Sequence, residues 1–216
     1  MRMKEKSNIQ DFEEVNVKRI NIIENDGTIR MAISNTELFP TPKLLEDKDI
    51  PREGNPGAGI VFYNDEGIEC GGLRFSSQKE DENNYEQNIL LAFDPYLQND
   101  VVDLGMYDRN GERTYALVFS DRPKKFLTEF VKEHEHMLFA DNSPEKQTYM
   151  KELYEKGEIG FERMKIEKSS SGEVSVKLSD SKGRQRIRLA VDQHDNPKLE
   201  FLDEEGQVIY SLPPDK

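Results

Sequence analysis

The run Glu133-His-Glu-His136 contains the residue types best suited to binding a transition metal, because imidazole nitrogens and carboxylate oxygens are common zinc and iron ligands. The run lies in a segment with helical periodicity. On a helix, side chains two positions apart point to nearly opposite faces, so His134 and His136 cannot hold one ion as an i,i+4 pair does. The third histidine, His194, lies in a predicted turn far along the chain. We therefore predict no metal site, with His134 half-buried on an apolar stripe and His136 exposed to solvent.

Acidic residues also cluster in five short segments, and their oxygen atoms are the ligands that calcium prefers. An EF-hand loop needs acidic or amide side chains at alternating positions and a bidentate Glu at the twelfth, a pattern that these segments lack. Each segment instead begins with Asp, Asn or Glu, ends with Gly and separates two apolar runs, which is typical of a type I turn with a bulge. We therefore predict hairpin turns rather than calcium sites at 24–27, 64–67, 108–111, 180–183 and 203–206.

The motifs of nucleophilic catalysis do not occur in the sequence, which has neither G-x-S-x-G nor a Cys-His signature. The segment 54–59 is rich in glycine, but it lacks the G-K-[ST] ending of a phosphate-binding loop and precedes a predicted strand rather than a helix. With 43 acidic residues, carboxylates meet by chance in any fold. We predict no catalytic residue and no cofactor. A hydrolase that uses carboxylates in a cleft near residues 39–59 is the alternative function.

Charge and hydropathy exclude two classes of partner. The 216 residues carry a formal net charge of −13, which repels nucleic acid backbones and anionic lipid headgroups. The longest aliphatic run, Ile89-Leu-Leu-Ala-Phe93, is far shorter than the ~20 residues that cross a bilayer. No apolar stretch follows the basic residues at the N-terminus, as it would in a signal peptide. Cys70 is the single cysteine and fits a reducing compartment. We expect an acidic, cytoplasmic protein that binds neither nucleic acid nor a membrane.

The runs that flank the predicted hairpin turns alternate apolar and polar residues, as antiparallel strands with one buried face do. At Gly71-Gly72 this alternation shifts its phase between Cys70 and Leu73, which indicates a bulge or a close approach of two backbones. The predicted fold class is mainly β, with antiparallel hairpins and meanders in a sandwich, a barrel-like or a propeller-like arrangement. A helical hairpin is inserted before a C-terminal β-meander.

The helical hairpin is predicted from apolar residues at helical spacing. Asp121 is expected to cap the first helix, with Pro123 in its first turn, and the second helix is expected to begin at Ser143-Pro144 and to end at Gly157. The predicted organisation, packed as one globular unit, is a flexible tail over 1–14, an N-terminal β-hairpin region over 15–120 with a Pro/Gly loop at 36–58, the helical hairpin over 121–158 and the C-terminal β-meander over 159–216.

Three stretches of sequence resemble a family of uncharacterised bacterial proteins. They are residues 19–35 (Arg-Ile-Asn-Ile-Ile-Glu-Asn-Asp-Gly-Thr-Ile-Arg-Met-Ala-Ile-Ser-Asn), residues 57–67 together with Gly71-Gly-Leu73, and residues 199–206 (Leu-Glu-Phe-Leu-Asp-Glu-Glu-Gly). The resemblance covers most of the chain and implies a bacterial, cytoplasmic protein. It implies no activity, cofactor or catalytic residue.

The loop from Phe39 to Gly59 is the predicted contact surface of a non-enzymatic binding module. Its prolines restrict the chain and so reduce the entropy lost on binding. Phe39 and Tyr63 are candidate aromatic anchors. The forked guanidinium of Arg52 is a candidate for a charged contact, and Asn55 is the fourth predicted contact residue. The expected partner is another protein or a second copy of this chain. The loop could instead only cover an edge of the sheet. A third possibility is that the helices at 122–157 dock on a partner.

Overall fold

The structure, a computed structural model, describes residues 10–45, 48–49 and 57–214. The strands and helices in chain order are β1 (Arg19–Ile23), β2 (Ile29–Ser34), β3 (Lys43–Leu45), β4 (Lys48–Asp49), β5 (Ala58–Tyr63), β6 (Glu69–Lys79), β7 (Tyr85–Phe93), β8 (Val102–Arg109), β9 (Glu112–Asp121), α1 (Leu127–Leu138), α2 (Pro144–Glu155), β10 (Phe161–Lys168), β11 (Val174–Ser179), β12 (Gln185–Val191), β13 (Pro197–Leu202) and β14 (Val208–Leu212).

Twelve strands form one open antiparallel sheet, in the order in which they occur in the chain. The predicted fold class is confirmed: the protein is mainly β, it is built from hairpins, and the two helices lie between β9 and β10. The three closed or layered arrangements considered from the sequence differ from what is observed, since the meander continues as a single open sheet. The strands β3 and β4 pair only with each other, so the long Pro/Gly connection contains a short hairpin.

The predicted turn glycines all adopt a positive φ, between 74° and 92°. Four of the turns carry the expected hydrogen bond from the glycine N–H to the carbonyl oxygen three residues earlier, as in Gly67 to Asn64 at 3.0 Å. The turn between β8 and β9 differs. There Asn110 (φ 55°) and Gly111 (φ 86°) form a two-residue loop with both residues left-handed, which is a type I′ turn rather than a type I turn with a bulge.

The predicted irregularity at Gly71-Gly72 is present. The pairing of β5 with β6 slips by one residue between Phe62 opposite Gly71 and Tyr63 opposite Glu69, so Cys70 is the extra residue of a bulge. A Cβ atom on Gly71, whose φ is 134°, would lie 2.4 Å from the carbonyl oxygen of Ala92. The glycine is therefore required by both its backbone conformation and the close approach of β7.

The predicted cap at Asp121 is wrong. Asp121 pairs with Phe161 at the end of β9, and its carboxylate binds the guanidinium of Arg163, so the sheet continues where the helix was expected to begin. Helix α1 begins later, at Leu127, after an extended Phe126. The start of α2 agrees with the sequence, because the hydroxyl of Ser143 accepts a hydrogen bond from the N–H of Lys146 at 3.1 Å.

The two helices form a small core of their own. Phe130, Val131 and Leu153 are buried there, and Met150 packs against them. Tyr154 is exposed, and its ring packs edge-on against the ring of Phe161. The apolar stripe of α1 is therefore used within the hairpin.

Candidate functional site

A cleft of about 1460 Å³ lies between the helical hairpin and one face of the N-terminal half of the sheet. The sheet contributes Val61, Leu90 and Ala92 to its lining, and α1 contributes Phe130 and Val131. The cleft is concave and partly apolar, which makes it the first candidate for ligand binding.

Two of the predicted contact residues line this cleft. Phe39, in the connection after β2, and Tyr63, at the end of β5, both border it. Both also make contacts within the chain. Arg52 and Asn55 lie outside the described residues. Sequence reasoning did not find the opposite wall, because the helices meet the sheet through packing between residues that are distant in the chain.

The position of the helical hairpin against the sheet is set by one arginine and one glutamine. The guanidinium of Arg122 donates hydrogen bonds to the carbonyl oxygens of Asp100 and Ile159, each at 2.7 Å. The side-chain amide of Gln98 donates to the carbonyl oxygens of Pro123 at 2.9 Å and Lys125 at 2.8 Å. These bonds connect the β7–β8 loop to both ends of the helical insertion, so they determine the width of the cleft.

Basic side chains at the cleft are engaged by the protein itself. The ammonium of Lys146 donates to the carbonyl oxygens of Leu138 at 2.8 Å and Ala140 at 2.9 Å, where α1 ends. Lys125 forms an ion pair with Glu133. Since Arg122 is held in the same way, this part of the cleft offers apolar surface rather than a cluster of positive charge.

Asp103 is the titratable group most perturbed on the cleft-facing side of the sheet. It pairs with Ala92, which lines the cleft, but does not itself border the cavity. Burial, and then the nearby charge of Asp100, raise the pKa of Asp103 to about 6, against the opposing effect of Arg122. Its Oδ1 atom is buried without a hydrogen-bond partner. The carboxyl group of Asp103 is therefore partly protonated at pH values near 6.

The two histidines of α1 contact the same tyrosine in different ways. His134 is 8% exposed, and its Nδ1 atom lies 2.8 Å from the hydroxyl of Tyr149, while the ring of His136 packs edge-on against the ring of the same tyrosine at 5.6 Å. His134 is thus more deeply buried than the sequence indicated. In the described ranges, no group of three or more His, Cys, Asp or Glu side chains is arranged to hold a metal ion.

The other face of the sheet carries an aliphatic row that crosses all twelve strands. Every member of this row is Ile, Leu or Val and is the direct pairing partner of the next member. The members in order are Ile20, Ile33, Ile60, Leu73, Leu91, Leu104, Leu117, Ile166, Val176, Leu189, Leu199 and Leu212. Cross-strand pairs of this kind stabilise a sheet, so the row is a structural spine as well as a surface.

Two further rows flank the aliphatic row on the same face. We call the three rows together the apolar face. One flanking row is Ile22, Met31, Phe62, Gly71, Phe93, Val102, Phe119, Met164, Leu178, Ile187, Phe201 and Tyr210. The other is Ala58, Phe75, Ile89, Met106, Tyr115, Lys168, Val174, Val191 and Pro197. Lys168 is the one charged residue in the three rows, and its ammonium lies 5.8 Å from the ring centre of Tyr115.

The apolar face is open to solvent along its length. Leu104 and Leu189 keep 53% and 54% of their surface exposed, and Ile20 and Leu212 at the two edges are also exposed. Single exposed aliphatic residues are ordinary on protein surfaces, but a contiguous band is typical of an interaction surface. The alternation in the sequence predicted which residues share a face within each strand. It did not reveal that one row continues through every strand.

Charged residues occupy the opposite face in the C-terminal half of the sheet. The guanidinium of Arg188 binds the carboxylates of Glu173 and Glu200, the latter at 2.7 Å. The carboxylate of Glu167 pairs with Lys165 and Lys177. Two faces of one sheet thus differ in chemistry, one ionic and one apolar.

Comparisons with protein-family models, with curated proteins and with solved structures find no match to this chain. Among the described residues there is also no helix with the length and apolar character needed to cross a membrane. The candidate surfaces therefore rest on their own geometry and chemistry.

Proposed function

We propose that this chain is a non-enzymatic binding module of the bacterial cytoplasm, and that the cleft between the sheet and the helical hairpin takes an apolar segment of a partner protein. The observation that supports this proposal most is that the predicted anchors Phe39 and Tyr63 line one cavity together with the exposed apolar side chains of Leu38 and Phe139. Partly apolar grooves with aromatic side chains are common docking sites for protein segments. The cytoplasmic location rests on the single Cys70 and the acidic composition.

The chemistry of the cleft favours an uncharged segment over an acidic one. Arg122 and Lys146 donate to backbone carbonyl oxygens, and Lys125 is paired with Glu133. An acidic ligand would have to compete with these bonds. An apolar segment would instead gain affinity by removing the exposed surfaces of Leu38 and Phe139, which line the cleft, from water, at about 25 cal/mol per Å² of apolar area.

A peptide-display selection against the immobilised protein tests this function. Enriched peptides should carry apolar or aromatic anchors, and Phe39→Ala should weaken their binding about tenfold, as loss of an aromatic anchor does. Phe12→Ala is the matched control, since Phe12 is 67% exposed and does not line the cleft. Failure to enrich any peptide, or equal losses in the two variants, would refute the proposal.

The same preparation decides the hydrolase alternative. Six carboxylates border the cleft, and Asp94 and Asp100 lie where the sheet meets the helical insertion, so they are the first candidates for a hydrolytic site. Turnover of ester, phosphate or glycoside substrates that is lost in Asp94→Asn would establish an enzyme in place of a binding module.

A further inference from the structure

We propose that the apolar face of the sheet is the contact surface of a homodimer, in which two copies of this chain pack face to face. This inference is independent of the cleft, which lies on the opposite face. It rests on the pairing register, the exposure and the charge of the residues in the three rows.

The size of the apolar face matches a stable dimer. Twelve strands at ~4.8 Å spacing and three rows at ~6.8 Å along the strands give an area of roughly 700–1,000 Å² per copy. Specific interfaces bury about 800 Å² per partner. Exposed apolar patches on monomers are usually no larger than about 300–600 Å². The face is therefore larger than a single copy ordinarily leaves in water.

The composition of the face favours an identical partner. A two-fold axis brings the same patch of two copies together, so the patch must complement itself. The aliphatic row meets this condition, because every strand contributes Ile, Leu or Val at the same height and the row therefore opposes itself under a two-fold rotation. Two sheets of the same twist also pack well on each other, about 10 Å apart and rotated by roughly 30°.

Charge argues against other occupants. The three rows carry Lys168 as their one charged residue, so they offer nothing that would orient a charged partner. The net charge of −13 opposes an approach to anionic lipid. In a face-to-face dimer the ionic side of the sheet, with Arg188 and Glu200, stays outside, and the charges of the two copies are kept far apart.

Sedimentation equilibrium of the full chain, from micromolar to submillimolar concentrations, tests the proposal. The wild-type protein should sediment with twice its mass of 25.0 kDa. Leu189→Lys places a charge in the aliphatic row of the face, and twice in a symmetric dimer, so it should weaken association by about 100-fold or more. Leu104→Lys, on another strand of the same row, should have the same effect.

Val208→Lys is the matched control. Val208 is an exposed aliphatic residue of β14, 49% exposed, and it pairs with Leu202, which lies on the face opposite its neighbour Phe201. It should leave the dimer intact. Circular dichroism establishes that each variant is folded, and because Leu104 and Leu189 lie on separate strands, misfolding of one variant leaves the other as the test.

Three results would overturn the proposal. The first is a wild-type protein that stays monomeric over the whole concentration range. The second is dimerisation that survives both Leu104→Lys and Leu189→Lys. The third is a dimer that is lost in Val208→Lys and kept in Leu189→Lys, which would show that copies join through the edge strand β14 rather than through the apolar face.

Discussion

The Nδ1 atom of His134 lies 2.8 Å from the hydroxyl oxygen of Tyr149, and this hydrogen bond connects α1 to α2. Because His134 is buried, its nitrogen cannot recover a water molecule when the hydroxyl is removed. Tyr149→Phe should therefore lower the free energy of unfolding by about 1 kcal/mol in urea denaturation. Tyr154→Phe removes the hydroxyl of an exposed tyrosine of the same helix and should change it by less than about 0.5 kcal/mol. Equal losses in the two variants would contradict a stabilising hydrogen bond between His134 and Tyr149.

Asp103 makes stability depend on pH. Its pKa is raised to about 6 from an ordinary value of 3.8, so the folded state holds the proton more tightly than the unfolded chain does. The protonated group costs nothing at low pH, and stability is lost as pH rises from about 4 through 6. Asp103→Asn should have no advantage at pH 4 and, allowing for partial solvent screening, should be about 1–2 kcal/mol more stable than the wild type at pH 7.5.

Asp192 provides a control of opposite sign for that measurement. Backbone hydrogen bonds from Asn196 and His194 lower the pKa of Asp192. Its contribution to stability is therefore present at neutral pH and is lost as pH falls below the ordinary pKa of aspartate. Asp192→Asn should be less stable than the wild type at pH 7.5, and the difference should shrink in acid. A parallel pH dependence for the two variants would exclude this explanation.

Gly71 should be intolerant of any side chain. Gly71→Ala must adopt a φ of 134° and place its Cβ atom 2.4 Å from a carbonyl oxygen, so we expect a loss of about 3 kcal/mol or more in thermal or urea denaturation. Gly27→Ala has a positive φ of 92° but nothing within 4 Å of the added atom, and should lose about 1 kcal/mol. Similar losses would mean that the close approach of β7 is not constraining.

Arg188 neutralises two carboxylates on the ionic face of the sheet. Arg188→Ala leaves the carboxylate of Glu200, whose side chain is largely shielded, without its partner, so the free energy of unfolding should fall by about 1–3 kcal/mol. Lys18→Ala breaks an ion pair with Glu37 that is exposed on both sides and should change it by less than about 0.5 kcal/mol. Loss of the difference at high salt would show that Arg188 acts only through screened charge.

Local chemistry was enough to predict the five hairpin turns, although the turn between β8 and β9 is of another type than expected. Gly67 and Gly183 were placed correctly because a positive φ at the end of a tight turn is a requirement of the few residues around it. Ser143 was identified as a cap for the same reason, since its partner Lys146 lies within the same turn. Turns and caps that depend only on neighbouring residues can therefore be predicted from the sequence.

Structural features that depend on residues distant in the chain were not predicted from the sequence. Asp121 has the residue type of a helix cap, but its pairing with Phe161 extends β9 and delays the start of α1. Likewise Phe39 and Tyr63 were chosen for their chemistry, and the wall that turns their neighbourhood into a cleft comes from α1. Competition between sheet pairing and helix capping is decided by contacts that span the fold.

The chain-order arrangement of the twelve strands bears on how such a protein folds and evolves. Each strand is hydrogen-bonded to the strands that precede and follow it in the sheet. Few long loops must therefore close before pairing begins, and the sheet can form one hairpin at a time from any starting hairpin. Duplication or deletion of one hairpin would shift no other strand. The number of strands in the sheet can therefore differ between proteins that descend from a common ancestor. The aliphatic row gains or loses one member with each strand.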